Sequence, residues 1–253
     1  MSNEILVTSV SEGIARMRLN RADKRNAINT ELARAILAAM SRFDANDGVH
    51  VIVVEGTDGS FCAGADMGEA LAAEEGGDRR FNPSRDAANR VAASVKPTIA
   101  LIDGPAYGAG ALLACSCDMR VMTDRSRMRF PGSEYGLVVG AAALTTLVGP
   151  VLAKELILTS RVVEAEEAGR IGLANRVVGV EELEAAGMEL ARSVAAASPL
   201  AARWAKQVIN AAATGGDAKG IEDQADLILR GDPDHIERFS RATARVVGRG
   251  SGS

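Results

Sequence analysis

The chain has 253 residues, 47% of them hydrophobic and 25% charged, enough for one large core or a core with a helical appendage. A net charge of −4 and an aromatic content of 3% argue against nucleic acid, which asks for a basic surface and stacking rings. Cys62, Cys115 and Cys117, with His50 and His235, form neither a disulfide framework nor a metal-ligand spacing, so free buried thiols and no metal are expected.

Met1 to Ile5 lacks the basic and apolar regions of a signal peptide. No uninterrupted apolar run approaches the ~20 residues that span a bilayer. A cytoplasmic protein without membrane contact is the expectation. Ile5 to Val10 and Ile14 to Leu19 read as a hairpin around Ser11-Glu12-Gly13. A helix follows from Thr30, taken as its N-cap, to Asn46. Val51 to Glu55 is a compact apolar run, hence a buried strand, and Thr98 to Ile102 is another.

Between them, Ala70 to Asp86 is charged and breaks periodicity, as a surface loop or lid edge does. Ala111 to Cys117 is small and apolar on every side and predicts a fully buried helix. Arg120 to Thr123 reads as a strand. Helices are expected over 154–159, 164–169, 180–197, 200–213, 220–229 and 233–247. A change in composition near Ser198 divides the chain into an α/β core, residues 1–197, and a helical region, residues 198–253.

Two segments carry the chemistry. Phe61-Cys62-Ala63-Gly64-Ala65-Asp66-Met67 and Asp103-Gly104-Pro105-Ala106-Tyr107-Gly108-Ala109-Gly110 are rich in small residues. Each follows an apolar strand and enters a helix. Small side chains let a ligand approach, and a helix start leaves backbone N–H groups unpaired. Two such turns are able to bracket one developing oxyanion. Other chemistries lack their motifs: Gly132-Ser133-Glu134-Tyr135-Gly136 is no nucleophile elbow, since its serine is not central. No phosphate-binding glycine loop is present either.

The same segments, in order, resemble the crotonase (enoyl-CoA hydratase/isomerase) superfamily over nearly the whole chain. Leu19 to Ile28 resembles its opening signature, Phe61 to Met67 its first oxyanion turn and Ile102 to Gly110 its second. Leu156 to Arg161, Ala165 to Ala168 and Gly172 to Val178 resemble the downstream run. The resemblance implies a spiral of ββα units with a helical C-terminal trimerisation region, assembled as a homotrimer or a dimer of trimers. It implies an acyl-CoA thioester as the ligand, with coenzyme A part of the substrate and no separate cofactor.

Carried onto this chain, the family's oxyanion donors fall on the backbone N–H groups of Ala65 and Ala109. Lys24 and Arg25 match basic positions used for the CoA phosphates, or else form a solvated basic turn. Ala27, Ala63 and Asp66 match positions along the adenine and pantetheine path. Asp66 equally suits a helix N-terminus, where the dipole favours an acid.

The two glutamates with which family hydratases hold water fall on Leu112 and Gly132. Pro131 and Gly136 keep the family's proline-to-glycine spacing and set this register. Neither acid is present. One carboxylate remains nearby, Glu134. In an extended segment it shares a face with Gly132, about 6–7 Å away, and reaches toward the acyl α-carbon as an acid or base. In a helical segment it turns away, into a surface or intersubunit ion pair. Three functions stay open: a hydratase or isomerase with a displaced acid, an acyl-CoA carrier, and another enolate reaction such as decarboxylation.

Overall fold

The computed structural model describes residues 4–76 and 82–247. It divides into two compact units, Met1–Val194 and Ala195–Ser253. The first opens with the expected hairpin, β1 (Leu6–Ser11) and β2 (Ile14–Leu19), closed by Glu12 and Gly13 in left-handed conformations. Helix α1 (Thr30–Ala45) follows, capped by Asn29 rather than Thr30, because the Asn29 side chain accepts the Leu32 N–H at 2.9 Å. Its apolar stripe, Leu32, Ile36, Met40 and Phe43, is buried.

Strand β3 (Val51–Glu55) is buried throughout. The region expected to be an irregular loop contains two helices, α2 (Met67–Glu75) and α3 (Pro83–Ala92). In α3 small residues pack at helical spacing, with Ser84, Ala87, Ala88 and Val91 buried. Little bulk is needed there, which hid the amphipathic period. Residues 77–81 of that region lie outside the described part.

Next come β4 (Thr98–Ile102), β5 (Pro105–Tyr107), α4 (Ala109–Ser116), β6 (Met119–Thr123) and β7 (Arg127–Arg129). Helix α5 (Ala141–Thr159) begins well before the expected 154–159. Then β8 (Val162–Glu164), α6 (Ala165–Arg170), β9 (Arg176–Val178) and α7 (Leu183–Ala195) complete this part of the chain. Helix α5 has the length and apolarity of a bilayer span. It is nonetheless broken at Gly149 (φ 77°, ψ 165°) before Pro150, so it is two shorter helices joined at a kink.

The main sheet runs β1-β2-β3-β4-β6-β9, parallel except for the β1–β2 hairpin. A second, smaller sheet is β5-β7-β8. Strand pairs β4–β5 and β6–β7 each place one strand in each sheet before a helix, which is the ββα repeat. The core is carried by the main sheet with α1, α3 and α4. The second unit is helical: α8 (Pro199–Thr214), α9 (Ala218–Leu229) and α10 (Pro233–Val247). Ser198 caps α8 ahead of Pro199, and Asp217 caps α9 by accepting the Gly220 N–H at 2.9 Å.

Candidate functional site

The first turn leaves β3 through Gly56, where a Cβ would stand 2.1 Å from the Ser60 carbonyl oxygen. Only glycine lets the chain fold back so closely. Cys62 then joins β5: its N–H donates to Pro105 O at 3.1 Å and its carbonyl accepts Tyr107 N–H at 3.0 Å. Beyond it, Gly64 O accepts the Ile28 N–H at 2.8 Å, and Asp66 N–H donates to Ile28 O at 2.9 Å. Ala65 is therefore clamped on both sides, while its own N–H points away from Ile28. No acceptor takes that N–H among the described residues.

The second turn ends at Gly108 (φ 53°, ψ −116°), whose N–H donates to Arg129 O at 2.9 Å. Helix α4 starts at Ala109 with no side-chain cap, so the Ala109 N–H is likewise open. The two turns touch through backbone. A Cβ at Gly110 would lie 2.1 Å from Cys62 O, and one at Gly64 would lie 3.8 Å from Ala109 N. The open N–H groups of Ala65 and Ala109 belong to turns held in this contact.

A third segment lies against the first turn. The Arg25 carbonyl accepts Ala63 N–H at 2.9 Å and the Ser60 hydroxyl at 3.2 Å. Arg25 (φ 49°) and Asn26 (φ 58°) are both left-handed. Buried Asn26 explains how the bend is held. Its amide donates to Ser60 O at 2.7 Å and Thr57 O at 3.1 Å, and its oxygen accepts Arg21 N–H at 2.9 Å. Lys24 and Arg25 are exposed there, with half-buried Ala27 and Ala63 beside them.

Asp66 takes both of the places open to it. One carboxylate oxygen accepts the Gly68 N–H at 3.2 Å at the start of α2; the other accepts Arg21 Nη2 at 3.0 Å. Arg21 also donates to Ala27 O at 2.6 Å. The Arg21 hydrogen bond, with help from the α2 amides, holds the Asp66 carboxyl below its ordinary range.

Leu112 and Gly132 face a small pocket beside Gly108, with Phe130, Val139 and Gly140. None of these side chains titrates. A side chain at 132 would fit tightly: a Cβ on Gly132 would stand 3.0 Å from Leu137 O and 3.2 Å from Val139 N. The segment from Gly132 is helical, not extended, with Gly132 in the right-handed region and a 3-10 turn over Ser133–Tyr135. This corrects the expectation for Glu134 as an acid or base at the α-carbon. Its side chain is exposed and paired with Arg129, so it is turned out of the pocket.

Among the described residues no cluster of three His, Cys, Asp or Glu side chains is placed to hold a metal ion. Cys62 is no nucleophile, since burial pushes its thiol up to about 12. Sequence reasoning missed Arg21 and Asn26 as the residues that fix the first turn, although both stand inside the recognised Leu19 to Ile28 signature. Phe130 and Val139 carried no signal of their own.

The model of the enoyl-CoA hydratase/isomerase family matches residues 9–234. The chain belongs to the enoyl-CoA hydratase/isomerase family. It is 35% identical to the Mycobacterium tuberculosis protein named "Probable enoyl-CoA hydratase echA6" over 239 residues, 92% of this chain and 88% of the relative. A solved enoyl-CoA hydratase subunit from Geobacillus kaustophilus superposes with a TM-score of 0.89 at 30% identity, covering 96% of each chain. The enoyl-CoA hydratase of Bacillus anthracis gives 0.90 at 26% identity, over 96% of this chain and 97% of that one. The crotonase fold with its helical C-terminal region is thereby established for this chain. These are proteins it resembles in sequence and fold.

Proposed function

We propose that this family member binds an acyl-CoA thioester and stabilises negative charge on the thioester oxygen through the N–H groups of Ala65 and Ala109, without hydrating an enoyl bond. One observation carries the reading: two open N–H groups on touching turns adjoin a pocket whose side chains hold no carboxylate. Oxyanion donors act on any reaction that builds an enolate, and each is worth about 3 kcal/mol. Hydration needs more, because a water must be held and its proton moved. Lys24 and Arg25 are assigned to the CoA phosphates, on the exposed turn bonded to Ala63. The protein is assigned an assembly of three or six copies.

An enolate reaction without an acid favours decarboxylation of a malonyl-type thioester. The bond to the carboxylate carbon breaks, CO2 leaves, and its electron pair passes to the thioester oxygen before water returns a proton to the α-carbon. A carrier uses the same pocket with no bond broken. Calorimetric titration with crotonyl-CoA, butyryl-CoA and free CoA tests the reading, alongside the enoyl absorbance of crotonyl-CoA. Thioesters binding more tightly than free CoA, with the enoyl absorbance constant, is the expected result. Steady hydration of crotonyl-CoA, or thioesters that bind no better than CoA, would overturn it. Release of CO2 from malonyl-CoA then separates enzyme from carrier.

A further inference from the structure

Residues 21–28 form a strap that lies against the first glycine turn and carries two exposed cations. Neither the Lys24 nor the Arg25 side chain makes a hydrogen bond or ion pair among the described residues. The backbone of the strap does bond to the turn. Arg25 O accepts Ala63 N–H at 2.9 Å, Gly64 O accepts Ile28 N–H at 2.8 Å, and Ile28 O accepts Asp66 N–H at 2.9 Å. The middle bond sets a direction. Gly64 O and Ala65 N–H belong to one planar trans peptide, so whatever holds that carbonyl aims the N–H the opposite way. The Cys62 thiol donates to the same carbonyl at 3.7 Å. The Ala65 N–H therefore points where the strap makes it point.

The strap is bent at a place where the chain resists bending. Arg25 (φ 49°) and Asn26 (φ 58°) are consecutive left-handed residues, a costly conformation for L-residues that persists where the surroundings impose it. Asn26 imposes it. Fully buried, it donates to Ser60 O and Thr57 O and accepts Arg21 N–H and the Thr57 hydroxyl, all at 2.7 to 3.1 Å. The Ser60 hydroxyl adds a bond to Arg25 O at 3.2 Å.

We infer that Asn26 is a positioning residue that couples the two ends of the ligand: through the bend it holds, a phosphate bound at Lys24 and Arg25 steadies the Ala65 N–H for the thioester oxygen. The inference rests on the proposed thioester reading. A phosphate gripped by Lys24 and Arg25 is gripped in the bent conformation, so its binding favours that conformation over relaxed ones. The bent strap is the one whose Ile28 N–H meets Gly64 O, and a donor aimed in advance costs the thioester less to engage. Linkage makes the effect mutual: the thioester tightens the grip on the phosphate by the same factor.

Calorimetry with butyryl-CoA and free CoA tests it, because the ratio of their affinities reads the acyl end alone. Lys24→Gln with Arg25→Gln weakens both ligands and is expected to lower the ratio about 5-fold, a coupling of ordinary size. Independent ends would leave the ratio unchanged, since both ligands lose the same phosphate contacts. Asn26→Gly keeps the left-handed backbone accessible and removes only the side chain. It is expected to lower the ratio with both cations intact, and adding Lys24→Gln and Arg25→Gln to it produces no further fall. Partial misfolding reduces both affinities by one factor and cannot move their ratio. An unchanged ratio in the Lys24→Gln, Arg25→Gln protein would overturn the coupling and leave the thioester reading standing. An unchanged ratio in Asn26→Gly would overturn the role of Asn26, and a wild-type ratio of one would overturn both readings.

Discussion

At the scale of single residues, the site depends on which Cβ atoms are missing. Gly110→Ala drives a Cβ to 2.1 Å from Cys62 O, where backbone meets backbone and nothing flexible yields. It is expected to cost about 3 kcal/mol or more in urea unfolding. Ala109→Gly keeps the N–H and changes only backbone freedom, so a loss below about 1 kcal/mol is expected, with thioester binding retained. A large effect of Ala109→Gly on folding, or a silent Gly110→Ala, would contradict the turn-to-turn contact. The contact at Gly132 is milder. Leu112→Glu with Gly132→Glu is expected to lower the urea midpoint, because a Cβ at 132 stands 3.0 Å from Leu137 O and 3.2 Å from Val139 N and this backbone must give by a few tenths of an ångström. The tight fit around Gly132 was not legible in the sequence, since it comes from how residues 133–139 fold back.

At the scale of elements, each glycine turn is rooted in a carboxylate. Asp66 joins the start of α2 to Arg21, and Asp103, directly after β4, accepts from Arg125 Nε at 2.7 Å and the Thr123 hydroxyl at 3.0 Å. Hydrogen bonding by Arg21 and by Arg125, respectively, is the largest cause that lowers each carboxyl. A folded-state value below the unfolded ~3.9 adds stability that is complete above the unfolded value and disappears as pH falls through the folded one. Urea midpoints from pH 7 down to 3 are therefore expected to decline more steeply for the wild type than for Asp66→Asn with Asp103→Asn. The gap between the two proteins should be widest at pH 7 and narrow on acidification. A constant gap would show that the carboxylates contribute no charge-dependent stability.

The elements also mark what the sequence made legible. Strands β3 and β4 were plain because buried parallel strands are continuous apolar runs, and Val51–Glu55 and Thr98–Ile102 are buried throughout. Both glycine turns stood out by composition. Helix α3 was hidden because alanine and serine make its buried face, and the first half of α5 because it is apolar all round, with no period to detect. The pairing of Glu134 with Arg129 turned on whether Gly132 is helical, a choice that tertiary packing makes.

At the scale of the whole molecule, the proposed assembly bears on what the helical unit leaves uncovered. In α10 the side chains of Ile236, Phe239 and Val246 are exposed, spaced by helical turns along one stripe, and Leu227 in α9 is 83% exposed. Isolated apolar side chains need no explanation, but a stripe on an amphipathic helix asks for a covering surface. Further copies of this chain, as in the proposed assembly, would supply that cover. Native mass spectrometry of the wild type is expected to give a mass three or six times that of the chain. Phe239→Asp with Leu227→Asp places charge where apolar contact is required and is expected to shift the distribution toward monomer. Charges on exposed positions cost a single chain little, so its far-ultraviolet circular dichroism should be preserved. A wild-type monomer would mean that the stripe serves another surface, and unchanged oligomers in the variant would place the interface elsewhere.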